Sequence, residues 1–415
     1  MSNESLTKNA DSKRILGPTL RFPEFAETGP WLTKRLEDIA PLQRGFDLPS
    51  DQIQPGSVPV VYSNGVQSFH RIGMARGPGL VTGRSGTIGR LHYIESGEYW
   101  PHNTSLWVTS FNGNFPKFVY YLFESIGMNR FASGSGVPTL NRNDVHEFYG
   151  SVPPTLDEQR KISDCLTSLD ELTGAHARAL ETLRLHKKGL LEQLFPRKGE
   201  NAPRMRFPEF QDAGDWEWHD LGHKTTKVGS GITPTGGEKT YKKSGRPFIR
   251  SQNIGWGELL VEDVAYIDHE IHATFVSTEI SDHDVLLNIT GASIGRSAVA
   301  DSRIVGGNVN QHVCIIRPKH EELNPRFLNQ FLISHHGQSQ IDSFQAGGNR
   351  QGLNFSQLRS FRVPMPPKLH EQTRVADCLS SINELITAQT QKINGLKAQK
   401  KGLMQQLFPS FAEGL

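Results

Sequence analysis

The sequence predicts an α+β protein: two similar globules joined by two long antiparallel coiled-coil helices, with internal pseudo-two-fold symmetry. Three observations predict it. Short boxes recur about 200 residues apart. A heptad of apolar residues runs through two long segments free of proline. Short β-branched runs, broken by glycine, fill the stretches between.

The recurrence begins with RFPEF at Arg21–Phe25, which returns at Arg206–Phe210. Gly29, Trp31 and Leu36 return at the same offset of 185 as Gly214, Trp216 and Leu221. Downstream, residues 153–196 align without a gap on 366–409 at an offset of 213, with 21 identities over 44 positions. Thr87–Arg90 matches Ser293–Arg296 more weakly. The expected layout is a tail over 1–20, a globule over 21–152, a long helix over 153–196 and a polar linker over 197–205. A second globule over 206–365, a second helix over 366–409 and a tail over 410–415 complete it.

Each long helix starts after a Pro-Pro pair. Thr155-x-x-Glu158 has the form of a capping box, and Lys368 replaces the cap residue in the second copy. Pro196 and Pro409 stop the helices. Ile162, Leu166, Leu169, Leu180, Leu183, Leu190 and Leu194 occupy a and d positions of the first. Val375, Leu379, Ile382, Ile393, Leu396, Leu403 and Leu407 occupy those of the second. Polar residues break both seams at matching places, His176 and Lys187 against Gln389 and Lys400. At ~1.5 Å per residue a helix over 157–194, 38 residues, is about 57 Å long. Such a seam needs a partner, and the obvious one is the other copy.

In the globules, Ser57–Tyr62, Leu106–Val108 and Val313–Ile316 read as strands. Short helices are expected near Phe115–Ile126 and Pro325–His335.

Composition narrows function by exclusion. No run of 18 apolar residues is present, the N-terminus lacks a secretory core, and three Cys make no disulfide framework; a cytoplasmic location is expected. Phosphate-loop, dinucleotide-binding, metal-ligating and nucleophile-elbow motifs are missing, so no cofactor, metal or catalytic residue is assigned. Cys165, Cys378 and Cys314 read as buried thiols, and His335-His336 as the end of a helix. Net charge is +2, with 9 basic against 9 acidic residues in 35–150 and 15 against 14 in 220–363. Any anion-binding surface must therefore be local.

The RFPEF start box, the PP-x-L-x-EQ entry, the KKGL-x-QLFP exit and their duplication resemble the specificity subunits of type I restriction-modification systems. The resemblance covers nearly the whole chain. It implies two target recognition domains, each reading one half of a bipartite site on double-stranded DNA, spaced by the helices. It also implies a subunit without catalysis of its own. Two modification (methyltransferase) subunits, and through them ATP-dependent restriction subunits, would be its partners.

On that reading, polar residues in Gly-rich loops are the candidates for base contact. In the first globule these are Arg44, Ser63, Asn64, Arg84, Ser85, Thr139, Asn141 and Arg142. In the second they are Arg250, Ser251, Gln252, Asn253, Arg296, Asn349, Arg350 and Gln351. Asn141 and Asn354 are equally suited to cap a helical turn. The competing reading is a non-catalytic, two-lobed adaptor that binds proteins only. A self-sufficient enzyme is disfavoured by the missing motifs.

Overall fold

The computed structural model describes residues 17–134, 138–345 and 352–409. They form two compact units. One runs to Ala177 and takes in the chain from Gln391; the other is Arg178–Thr390. The long helices are Leu156–Leu194 and Leu369–Leu407, 39 residues each. Each gives one half to either unit.

The globules are built to one plan. In the first, a four-stranded antiparallel sheet runs in the order Leu42–Arg44, Ser105–Val108, Gly79–Gly83, Leu91–Ile94. In the second, Thr225–Ser230, Val313–Pro318, Val285–Asn288 and Ser297–Val299 take the same order. A further sheet in each contains one parallel pair: Val58–Tyr62 with Glu98–Pro101, and Arg246–Ile249 with Asn308–Val309. Leu32–Arg35 pairs with Tyr149–Val152, and Glu217–Asp220 with Arg362–Met365, bringing both ends of each globule to its long helix. The apolar helices Pro116–Ile126 and Pro325–Ile333 back the sheets. His335 and His336 do not end a helix, as the sequence suggested. Ser334 breaks the path in extended conformation, and the pair opens the next helix, His335–Gln345.

The duplicated boxes prove to be a clasp. Arg21 donates from Nε and Nη2 to the Glu158 carboxylate, both at 2.7 Å, and Trp31 Nε1 donates to the same group at 3.0 Å. In the second copy Arg206 grips Glu371 at 2.7 and 2.8 Å, and Trp216 reaches it at 3.1 Å. The neighbouring glutamines hold the globules' own helices. Gln159 Oε1 accepts from Phe115 N–H at 2.7 Å, and Gln372 Oε1 from Asn324 N–H at 2.9 Å. This corrects the capping-box reading. Thr155 Oγ1 does accept a long bond from Glu158 N–H, 3.4 Å, but the Glu158 side chain turns away to an arginine, a stronger partner than a backbone amide.

Each helix end completes a core. Phe195 packs on Trp216, Phe327 and Phe331; Phe408 packs on Trp31 and Phe118. Leu20 N–H donates to Gln406 O and Met205 N–H to Gln193 O, each at 3.0 Å. Within the first unit the helix segments run antiparallel, because Ile162 and Leu166 share a core with Leu407 and Phe408 while Lys400 meets Asp170.

Of the seam residues, Ile162, Leu166, Leu180, Leu194, Val375, Leu379, Ile382, Ile393, Leu396 and Leu407 are buried; Leu169, Leu183, Leu190 and Leu403 are half-buried. The heptad places Leu183 at an enclosed seam position, and the fold does not enclose it. Leu191, one place beyond an a position, is buried instead, because it joins the second globule's core. Cys165 and Cys378 are half-buried. Cys314 is enclosed in its strand, and burial pushes its thiol up to about 12.

Candidate nucleic-acid interface

In the first globule a polar corner forms where the two parallel-paired strands end. Thr104 organises it. Its carbonyl accepts from the amides of Arg84 and Ser85 at 2.9 and 3.1 Å, and its hydroxyl accepts from Ser63 N–H at 3.3 Å. Ser85 bridges to Thr139, and Leu140 N–H donates to Arg84 O at 2.8 Å, so three distant loops converge. Beside them Asn103 Nδ2 donates to Asp47, which also pairs with Arg44 at 3.5 Å. Gly45 lets that loop lie against the backbone; a Cβ there would run into the carbonyls of Pro101 and His102. The His102 ring stacks 4.1 Å from Tyr62. Burial holds His102 below the usual imidazole range, against the opposing pull of a Leu48 backbone hydrogen bond and Asp47.

The second globule builds the same corner with different side chains. Ile289 N–H donates to His312 O at 3.0 Å and Leu353 N–H to Ile289 O at 2.8 Å, repeating the bonds of Arg84 and Leu140. Thr290 bridges to Gly352 as Ser85 does to Thr139. Gly231 stands where Gly45 does, and a Cβ there would strike Val309 O. Thr233 Oγ1 donates to Gln311 in the place of Asp47 and Asn103. Thr290 Oγ1 and His312 Nδ1 lie 2.6 Å apart.

The fold thus gathers Arg44, Arg84, Ser85 and Thr139 into one corner, with Asn64 exposed in the adjoining turn. Ser63 is there too, but at 8 % exposure it braces the corner through its backbone. Asn141 caps the helix Arg142–Glu147 by accepting from Asn143 N–H, and Arg142 is the exposed first residue of that helix. In the second globule Asn253 cannot face a ligand. It is 1 % exposed, and its amide ties Leu260 O and Asp263 O to the Arg250 amide. Arg250 and Gln252 both donate to Asp263, and Arg250 also lies over Tyr241. Ser251 accepts from the buried Asn288 through its carbonyl. Arg296 is half-buried. Asn349, Arg350 and Gln351 lie outside the described residues.

Sequence reasoning missed Asp47, His102, Asn103, Thr233, Thr290, Gln311 and His312. The usable signal was the glycine pair Gly45 and Gly231, whose following residues Asp47 and Thr233 differ. Among the described residues no group of three or more His, Cys, Asp or Glu could hold a metal, and no helix is long and apolar enough to cross a membrane.

Comparison with known proteins agrees with this duplication. The family model of the type I restriction modification DNA specificity domain matches twice, over residues 29–184 and 226–398. The chain is similar to the type I restriction enzyme MjaVIII specificity subunit of Methanocaldococcus jannaschii. Identity is 22% over 302 residues, covering 69% of this chain and 68% of that protein. Among solved structures it resembles the S subunit of a type I restriction-modification system from M. genitalium, with TM-score 0.67 and 14% identity, over 96% of this chain and 100% of that one. A chain from a study of complex assembly and conformational transition in the type I R-M system is also similar. There the TM-score is 0.52 and identity 16%, over 92% of this chain and 98% of that one. At these identities the two structures speak to the fold.

Proposed function

The chain belongs to the type I restriction-modification DNA specificity family, and on that premise we propose that it is the sequence-specificity subunit of such a complex. Each globule, taken as 21–152 and 206–365, reads one half of a bipartite double-stranded DNA target. The helices set the spacing and recruit two modification subunits, and restriction subunits join through them. The subunit performs no chemistry itself and works in the cytoplasm.

The observation that carries the reading is the pair of corners. One backbone arrangement presents Asp47, Asn103 and Ser85 in the first globule, and Thr233, Gln311 and Thr290 in the second. A shared frame with exchanged hydrogen-bonding side chains is what two readers of different sequences need, since base edges are distinguished by donor and acceptor pattern. Recruitment through the helices is supported by exposed leucines on them, Leu172 at 43 % and its counterpart Leu385 at 55 %.

The test is exchange of residues 21–152 for those of a relative, followed by mapping of methylated sites in host DNA. One half of the site should change and the other stay. An exchange that alters both halves refutes modular reading. A purified complex that shifts no duplex favours the adaptor.

A further inference from the structure

The two halves differ at one repeated lysine. In the first unit Lys400 is neutralised: its ammonium donates to Glu124 at 3.0 and 3.1 Å and to Asp170 at 2.9 Å. These residues line a cavity of about 620 Å³ with Lys397 and Lys401. In the second unit the repeat offset of 213 puts Lys187 at the place of Lys400 and Asn383 at that of Asp170. The helices Pro116–Ile126 and Pro325–Ile333 correspond at an offset of 209, which puts Ile333 at the place of Glu124. Both carboxylates are gone. The lysine still sits in the same setting: a Cβ built on Gly257 would lie 3.8 Å from Asn383 Nδ2 and 3.9 Å from Lys187 Nζ.

The resulting cavity, about 370 Å³, is lined by Arg184, Lys187, Lys188, Trp256, His335 and Gln338, with Glu192 its one acidic wall residue. None of its four basic side chains has an ion-pair partner among the described residues. Burial pulls the Lys187 ammonium below its ordinary range, and Glu258 offsets this only in part. A cation enclosed with too little counter-charge is costly, and an incoming anion lowers that cost.

The cavity adjoins the second polar corner. Gln338 Nε2 donates to Gly295 O at 3.0 Å, next to Arg296, whose carbonyl accepts from Asn288 N–H at 2.9 Å, two residues before Thr290. We propose that the Arg184–Lys187–Lys188 cavity holds a backbone phosphate of the duplex that the second globule reads, with the enclosed Lys187 free to meet it where the matching Lys400 is held by two carboxylates. This rests on the DNA-reading function above. It accounts for how a globule with balanced overall charge engages DNA, because phosphate contacts need only a local cluster.

The test uses the full chain in complex with its modification subunits, and measures affinity for a target and a non-target duplex between 50 and 200 mM salt. Two variants separate charge from packing: the double change Arg184→Gln with Lys187→Gln, and Asn383→Asp. The latter keeps every cation but installs the carboxylate that neutralises the first half. The expected result is a salt dependence shallower by about 0.9 in log–log slope for each phosphate that the variant no longer neutralises, equally on both duplexes. Parental slopes and affinities in both variants would overturn the proposal while leaving the specificity reading intact. Weakened assembly with parental DNA slopes would assign the cavity to an acidic segment of a partner and likewise overturn it. If the parental complex binds neither duplex, the DNA reading itself falls.

Discussion

Removing the arginine of the clasp should be among the most damaging changes outside the cores. The Glu158 side chain is 1 % exposed and Arg21 19 %, so Arg21→Met strands a carboxylate that water barely reaches. Breaking a buried pair by deleting one partner costs about 3–5 kcal/mol. Glu158→Gln should cost less, about 1.5–3 kcal/mol. One oxygen still faces Arg21 Nε and Trp31, but an NH2 replaces the oxygen that accepted from Arg21 Nη2, so that bond is lost together with the charge. Replacing both residues with methionine removes the stranded charge. The buried Trp31 N–H is then left without its acceptor, at about 1–3 kcal/mol, while Thr28 and Gly29, which also lose partners, are exposed and can turn to water. The double variant should therefore be less damaged than the sum of its single changes by about 2–3 kcal/mol. Urea unfolding of the full chain and of Arg21→Met, Glu158→Met, Glu158→Gln and the double methionine variant reads these differences. The equivalent cycle on Arg206 and Glu371, where the arginine is 11 % exposed, should repeat them. Single changes within about 0.5 kcal/mol of the parent, or strict additivity in the cycle, would show that the clasp does not hold the globule to its helix.

Other outcomes follow from packing and protonation. Phe408→Ala should cost about 3–5 kcal/mol and weaken the first globule's core, although the residue lies 377 positions from Trp31; protease-resistance mapping that places the damage outside that core would contradict it. Leu396→Ala, at 5 % exposure, should cost about 2–5 kcal/mol, and the half-buried Leu183 clearly less; equal melting losses would restore a symmetric seam. Burial holds His92, His102, His146, His219 and His336 below 6.5, so the folded state binds fewer protons than the unfolded one at mildly acid pH. Stability should be fully present above pH 6.5 and fall as pH drops through the folded-state values; a melting temperature that is flat or rising from pH 7 to 5 would refute the assignment.

The duplication, both long helices and the strands at Val58–Tyr62 and Val313–Pro318 were legible because repetition and periodicity are properties of a string. The helices end at Leu194 and Leu407, two residues before the marking Pro196 and Pro409, and start three residues later than the repeated segments do. What Glu158 does was not legible. A local rule places it on its own helix cap, and only the folded chain brings Arg21 from 137 positions away to outcompete that cap. The corners were half legible. Arg84 and Ser85 lie in a loop of the expected type, whereas Arg44 and Thr139 stand on short strands, and residue type cannot tell a reader from a brace. Asn253 and Ser63 look the same in sequence as exposed polar residues and are buried because neighbouring backbone groups need their bonds. Thr233 and Gln311 went unseen because their meeting depends on a register 78 positions apart.

The placement of Phe408 on Trp31 and Phe118, and of Leu20 on Gln406, has a consequence for the order in which the molecule becomes stable on the ribosome. The first globule is made early, yet its apolar floor is supplied by residues translated only after the whole second globule. Until then Trp31, Phe118 and Ile162 lack a cover that nothing earlier in the chain provides. The second globule, whose cover is Phe195, has that residue in hand before its own first strand appears. The half that leads in translation should therefore be the one that trails in completion. The nascent chain must carry an open hydrophobic face throughout synthesis of the second globule, a state that favours chaperone binding and early truncations that aggregate.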